Sequence, residues 1–342
     1  MRVGIDCRKI ADFGIGTYTR GLVHALAALG GPERYVAFVP SSARSLLPVN
    51  VEPVIADVAN YSVRELPVMG RAVAKARLDV FHSAHFVLPW TSCPCIATLH
   101  DTILFHFPPP RFGASAYLSF MTRRALRKSA RVLTVSEAAK ASIVETFAAD
   151  PAKIVVTPNG IDPIFFGERP PPEDLDRYLF FAGNDKPHKN VELLIEAFSR
   201  LPDRSLKLVM SGAAFERFRS VRGVVTTGFL PIERLASLYR GALAVVLPSL
   251  EEGFGLPVVE AMASGTAVLA ADIPALVEVA GDAAMYFDPH SAASLAAAME
   301  KIAGDAALRA ELASRGRARA AHFTWRRCAE LTREVYRAVA RA

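Results

Sequence analysis

Cysteine is scarce in this chain, with four among 342 residues, and the four are scattered at Cys7, Cys93, Cys95 and Cys328. Cys93-Pro-Cys95 lacks both the spacing and the second half-site of a zinc site, so reduced structural thiols are expected and no metal is assigned. Long apolar runs are missing too. The longest uncharged segment, 80–100, contains Pro89, Pro94, His82, His85 and His100, a poor candidate for a membrane span. Met1 leads directly into Arg2-Val3-Gly4-Ile5-Asp6 without an apolar stretch or a small-residue cleavage site, so a cytoplasmic location is expected. There is no P-loop, internal repeat or low-complexity tract, and a nucleic-acid partner would rest on modest charge alone.

What is present suits two globular domains. The length allows two cores, and 51% hydrophobic with 22% charged residues gives no compositional case for disorder. The net charge of +6 lies in the first half: residues 1–165 hold 18 Lys/Arg against 12 Asp/Glu, and residues 166–342 hold 22 against 22. Short β-branched runs alternate with helical patterns in both halves, which predicts β-α-β units and parallel sheets. Strands are expected near 2–6, 35–39, 79–81, 95–99, 131–135 and 154–156, then near 178–182, 206–211, 223–226, 243–247 and 267–270. The Pro158-Asn159-Gly160-Ile161-Asp162 turn and Arg169-Pro170-Pro171-Pro172 place a linker at 160–177, and the chain is almost all helical from Ser291 onward.

In open parallel sheets the loops after the strands carry the ligands. After the strand ending near Leu247 comes Glu251-Glu252-Gly253-Phe254-Gly255-Leu256-Pro257 and then a helix, with Pro257 expected at its first position. The N–H groups of Phe254, Gly255, Leu256 and Val258 at a helix start, approached closely through two glycines, form an anion site suited to a diphosphate. Glu252 in the loop and Glu260, expected in the first helical turn, bracket that site, and carboxylates accept from paired hydroxyls. The plainer reading of Glu260 is an acid favoured by the helix dipole.

The strand at 178–182 leads to Gly183-Asn184-Asp185-Lys186-Pro187-His188-Lys189-Asn190. Lys186 and Lys189 crowd a helix N-terminus, where positive charge is disfavoured unless an anion is bound, or unless both are simply solvated. Phe13-Gly14-Ile15-Gly16-Thr17 resembles half of a dinucleotide fingerprint, weak as a sign of NAD but serviceable as a hinged loop reaching a phosphate or sugar. His100-Asp101 follows a strand, whereas Asp174-Leu175-Asp176 precedes one and is not taken as a metal-binding D-x-D. The segment 117–132 mixes aromatics with Arg123, Arg124, Arg127, Lys128 and Arg131, a solvated basic face or one that lies on an anionic membrane.

Glu252 and Glu260, spaced as E-x7-E within E-G-F-G-L-P-x-x-E-A-M-A-x-G, resemble the signature of the retaining glycosyltransferase family 4. Asn159-Gly160-Ile161-Asp162, Gly228-Phe229-Leu230, the Lys189 loop and Gly14-Ile15-Gly16 extend the resemblance along nearly the whole chain. It implies a GT-B fold: two Rossmann-like, doubly wound α/β domains with parallel sheets facing a central cleft. The acceptor-binding domain would span 1–165, the nucleotide-sugar-binding domain 166–322, and a helix in 323–342 would cross back to the first. Glu260 would hold the donor ribose, Glu252 the transferred sugar, and Lys189 the departing diphosphate. Gly14 and Gly16 would approach that diphosphate from the first domain, His100 would sit beside the sugar, and Asn184, His188, Gly212 and Phe229 would complete the donor site. Many members carry arginine where this chain has Asn184, so His188 or Lys186 would have to compensate for a missing guanidinium.

The expected reaction moves a hexose from a nucleotide-sugar donor to a glycan or lipid-linked acceptor, with retention and without a metal or other cofactor. The stretch Pro187–Leu194 resembles members that use GDP-mannose in bacterial envelope polysaccharide synthesis, which favours mannose over glucose. The alternatives are a catalytically idle sugar-nucleotide-binding subunit and an epimerase or phosphorylase on the same fold.

Overall fold

A computed structural model describes all residues except 63, 109–112, 169, 173–174, 213 and 342, and the side chain of Ala114. Asp174 therefore lies outside the described residues. The chain divides into two compact units, Met1–Gly160 with Thr324–Ala342, and Ile161–Phe323.

In the first unit the chain runs β1 (Arg2–Asp6), α1 (Ile15–Ala28), β2 (Arg34–Val39), β3 (Glu52–Ile55), α2 (Glu65–Ala76), β4 (Val80–Ser83) and β5 (Cys95–Thr98). It continues through α3 (Ile103–His106), α4 (Ala114–Lys128), β6 (Arg131–Thr134), α5 (Glu137–Phe147) and β7 (Ile154–Val156). The second unit contains β8 (Tyr178–Gly183), α6 (Val191–Ser199), β9 (Lys207–Gly212), β10 (Val224–Gly228), α7 (Ile232–Gly241) and β11 (Ala244–Leu247). After these come α8 (Leu256–Ala263), β12 (Ala267–Ala271), α9 (Pro274–Ala280), β13 (Met285–Phe287), α10 (Ala292–Gly304) and α11 (Ala306–Ala320). The last helix, α12 (Trp325–Arg341), belongs to the first unit.

Both sheets are parallel. Their strand orders are β3-β2-β1-β4-β5-β6-β7 and β10-β9-β8-β11-β12-β13, so the winding reverses between β1 and β4 in one and between β8 and β11 in the other. Strands buried on both faces read as continuous apolar runs, as β11 (AVVL) and β12 (AVLAA) do. In the first unit the two faces carry separate cores. One gathers Val3, Ile5, Ala37 and Val39 with Tyr18 and Leu22 of α1, and the other gathers Val36, Phe38 and Phe81 with Met69 of α2 and Ile143 of α5.

Helix α12 buries Cys328, Ala329, Thr332, Val335, Tyr336 and Val339, spaced by three or four residues. The five besides Thr332 join the core on the α1 side, and Tyr336 Oη is hydrogen-bonded to His82 Nδ1 at 2.6 Å. A Cβ on Gly160 would stand 2.0 Å from the Trp325 backbone nitrogen, which is why glycine is needed where the first unit closes on this helix. Ile161 begins the second unit by donating its N–H to the Phe323 carbonyl at 3.1 Å.

Two strands differ from expectation by being there at all. β3 contains Pro53 and sits at the sheet edge, where proline's missing N–H is tolerated. β13 spans three residues, too few to show a period. The helical tail is broken at Gly304-Asp305, where the Asp305 side chain accepts the Leu308 N–H at 2.9 Å and starts α11.

Candidate active site

The second unit brings the β8 and β11 loops together at its switch point, the place where open α/β sheets hold ligands. Lys189 closes a 3-10 turn, Pro187–Lys189, and Asn190 then enters the left-handed region at φ 54° to start α6. The Asn190 side chain donates to the carbonyls of Pro248 and Pro289 at 3.1 and 2.8 Å, and Leu250 N–H donates to the His188 carbonyl at 2.8 Å. These bonds fix the two loops to each other. Across them Lys189 Nζ meets Glu252 Oε1 at 2.5 Å, and Ser249 Oγ donates to the same oxygen at 2.7 Å. Burial opposes charge on Glu252, but Lys189 and the Ser249 hydroxyl outweigh it and hold the carboxyl below its ordinary range. The lysine at a helix start is thus balanced by a carboxylate of the protein itself.

Helix α8 begins one residue earlier than the sequence suggests. Gly255 caps it at φ 89°, Leu256 is its first residue and Pro257 its second, so Glu260 stands in the second turn rather than the first. The dipole reading of Glu260 loses its footing with that shift. Instead, Tyr239 Oη donates to Glu260 Oε2 at 2.6 Å. Burial raises the Glu260 pKa to about 7, Asp162 adds to the rise, and the Tyr239 bond only partly offsets both. A Cβ on Gly255 would lie 2.5 Å from Leu276 Cδ2, and the Phe254 ring is buried edge-on against Phe323 at 5.5 Å between centroids. Pro257 has no N–H and Val258 donates its own to the Gly255 carbonyl at 2.9 Å, so the N–H groups at this helix start that suit an anion are those of Gly255 and Leu256.

The remaining residues named for this unit surround the same end of the sheet. Gly212 ends β9 at φ 134°, and a Cβ there would come within 1.8 Å of the Gly183 carbonyl oxygen. Asn184 Oδ1 accepts the Lys186 N–H at 3.3 Å, and Phe229 is exposed just after Gly228. His188 is buried, and burial together with Lys189 lowers its pKa to about 4. It is neutral at neutral pH and so does not replace the guanidinium that Asn184 lacks. The guanidinium of Arg217 lies one residue away, bidentate on Asp185 at 2.8 and 2.9 Å and paired with Glu192 as well. Ser249, Tyr239 and Arg217 were not singled out from the sequence. Ser249 alone had a local cue, three residues before Glu252.

In the first unit Gly14 caps α1 at φ 66° with open space where a side chain would be, which leaves that helix start approachable. Gly16 serves packing: its Cβ would lie 2.8 Å from the Lys9 carbonyl oxygen. His100 follows β5, donates from Nε2 to the Ala84 carbonyl at 3.1 Å and packs edge-on to Tyr18 at 4.7 Å. Burial lowers its pKa to about 4, so Nδ1 is left as a neutral acceptor. Among the described residues no helix is long and apolar enough to cross a membrane.

Two parallel-sheet units with their loops gathered at switch points define a GT-B architecture, and the comparisons agree. The family model for glycosyl transferases group 1 matches residues 168–319, and that for glycosyltransferase family 4 matches residues 14–165. The chain belongs to this family of glycosyltransferases. Its similarity to the O-antigen chain mannosyltransferase B of Escherichia coli is 28% identity over 283 residues, 75% of this chain and 74% of the relative. Among solved structures, sucrose-phosphate synthase from Thermosynechococcus elongatus matches with a TM-score of 0.82 at 19% identity, covering 99% of both chains. Anabaena HepE, solved with UDP and glucose, matches with a TM-score of 0.78 at 18% identity over 99% of this chain and 100% of that one.

Proposed function

We propose that this glycosyltransferase moves mannose from GDP-mannose, with retention, to a hydroxyl of a glycan or lipid-linked acceptor in bacterial envelope polysaccharide synthesis. The observation that carries the reading is the Lys189–Glu252 pair at the β8/β11 switch point, in the same unit as Glu260 and the start of α8. The O-antigen mannosyltransferase similarity supports the sugar and the acceptor class.

The bond from the anomeric carbon to the diphosphate oxygen breaks, and negative charge grows on the leaving group. Lys189 and the N–H dipoles at the start of α8 are fixed in advance to receive it, the arrangement that stabilises developing charge most effectively. Glu252 accepts a sugar hydroxyl as Lys189 turns to the phosphate, and Glu260 accepts the ribose hydroxyls. The acceptor's proton passes to the leaving diphosphate, so attack on the same face preserves the anomeric configuration. Lys189 takes the place of a metal in this scheme.

A panel of GDP- and UDP-hexoses, assayed for transfer and slow hydrolysis with and without EDTA, tests it. GDP-mannose should be preferred, EDTA should change little, and the product should keep the donor's anomeric configuration by NMR. Lys189→Ala should lower turnover by roughly 10²- to 10³-fold, and turnover near wild type would overturn the scheme. Donor hydrolysis by the purified protein would exclude an idle subunit. The acceptor class also favours peripheral membrane binding through α4, whose Phe120, Arg123, Arg127 and Lys128 are all exposed. Equal flotation with neutral and anionic liposomes would remove that part.

A further inference from the structure

The first unit carries a buried ion network that the donor chemistry does not use. Arg8, just past β1, donates from Nε and Nη2 to the two oxygens of Asp6 at 2.9 and 2.6 Å, and from Nη2 to Glu65 Oε1 at 2.7 Å. All three side chains are almost wholly buried, and His85 Nε2 stands 3.4 Å from Asp6 Oδ2. The other oxygen of Glu65, Oε2, accepts the backbone N–H of Tyr61 at 2.6 Å. Tyr61 holds φ 62°, a left-handed conformation that a bulky residue rarely adopts. A turn alone would be better served by glycine or asparagine at that position. Strain that the surroundings enforce is grounds for asking what the strained residue does.

Its ring answers that question. Tyr61 stacks on Phe86 at 5.6 Å with 15° between the planes, yet remains 42% exposed. Lys9 Nζ lies 4.9 Å from the ring centroid and pairs with exposed Asp12 at 3.1 Å. Lys9 and Asp12 follow β1 and Phe86 follows β4, the strands that flank the switch point of this sheet, and Tyr61 joins them from the segment between β3 and α2. An aromatic ring beside one cation and one carboxylate offers an apolar face, donors and acceptors without a surplus of positive charge. That combination matches a pyranose, whose C–H groups pack on the exposed part of the Tyr61–Phe86 pair and whose hydroxyls both donate and accept. A phosphate would call for excess positive charge, and here Arg8 and Lys9 are offset by Asp6, Glu65 and Asp12.

We propose that Tyr61, with Lys9 and Asp12, is a sugar-binding platform for the acceptor, and that Asp6, Arg8 and Glu65 are positioning residues that hold the ring in its left-handed pose. The assignment of the bound sugar as acceptor rests on the transfer reaction proposed above. Saturation-transfer NMR with α-1,3-mannobiose as the probe, and inorganic phosphate monitored in parallel, tests it on the full chain. Wild type and Tyr61→Phe should show ring-proton enhancements for the disaccharide that fall at least threefold in Tyr61→Gly, while the Tyr61→Gly melting temperature stays level or rises because the strain is relieved. Undiminished enhancement in Tyr61→Gly, an equal loss in Tyr61→Phe, or competition by phosphate would each overturn the platform. If wild type shows the disaccharide signal but hydrolyses no sugar nucleotide, the platform stands and the transfer reading fails.

Discussion

Replacing Glu260 by glutamine tests how burial acts on a carboxyl of the proposed donor site. Burial lifts the Glu260 pKa from 4.5 to about 7. Between those values the native state keeps a proton that the unfolded chain has released, so stability must fall as pH rises. A tenfold change in proton affinity corresponds to about 1.4 kcal/mol, and integrating the two titrations from pH 5 to pH 8 gives a loss of about 2 to 3 kcal/mol. His188 works in the opposite sense. Its pKa is lowered to about 4, so it makes stability rise with pH until about 6.5 and masks the Glu260 slope in wild type. The difference between wild type and Glu260→Gln isolates the carboxyl. The variant should gain on wild type by about 2 to 3 kcal/mol from pH 5 to 8, or roughly 5 to 10 °C in melting temperature for a domain of this size. Denaturant melts at closely spaced pH values measure it. In the proposed scheme the ionised Glu260 accepts the ribose hydroxyls, so wild-type donor affinity should rise from pH 6 to 8 while the variant stays weak and flat. A difference in stability that does not change with pH would refute the reasoning.

Three further outcomes follow from the geometry. His188→Gln should gain on wild type by about 2 to 3 kcal/mol as pH falls from 7 to 4.5, read as the difference between the two stability profiles, and a difference that does not change with pH counts against the buried neutral imidazole. Gly212→Ala puts a Cβ 1.8 Å from the Gly183 carbonyl oxygen at φ 134°, so the melting transition should fall by an amount equivalent to about 3 kcal/mol or more, and wild-type melting would contradict the close approach of β8 and β9. Tyr336→Phe removes the 2.6 Å bond to buried His82 Nδ1 and should cost about 1 to 3 kcal/mol in urea unfolding; a neutral effect would show that the bond is not formed.

The alternation of β-branched runs with helical periods was enough to place most of the strands, because strands buried on both faces must be apolar throughout. The loop–helix at Glu252 to Glu260 was equally legible, since glycines, a proline and paired carboxylates have local reasons to stand together. The edge strand β3 was not, because Pro53 argues against a strand unless its neighbours are known. The helix-dipole account of Glu260 depended on one residue of register that Gly255 settled.

The α/β class, the repeated β-α-β organisation and the loop–helix from Glu252 to Glu260 are all written in short-range patterns of the sequence. Tertiary structure alone decided what those residues are to one another. It paired Lys189 with Glu252 across 63 positions, placed Tyr239 on Glu260, and neutralised His188 by burial. It also joined Asp6 and Arg8 to Glu65 beneath Tyr61. Charge pairing and desolvation depend on distance in space, and spacing along a chain does not carry that distance until the sheets are wound.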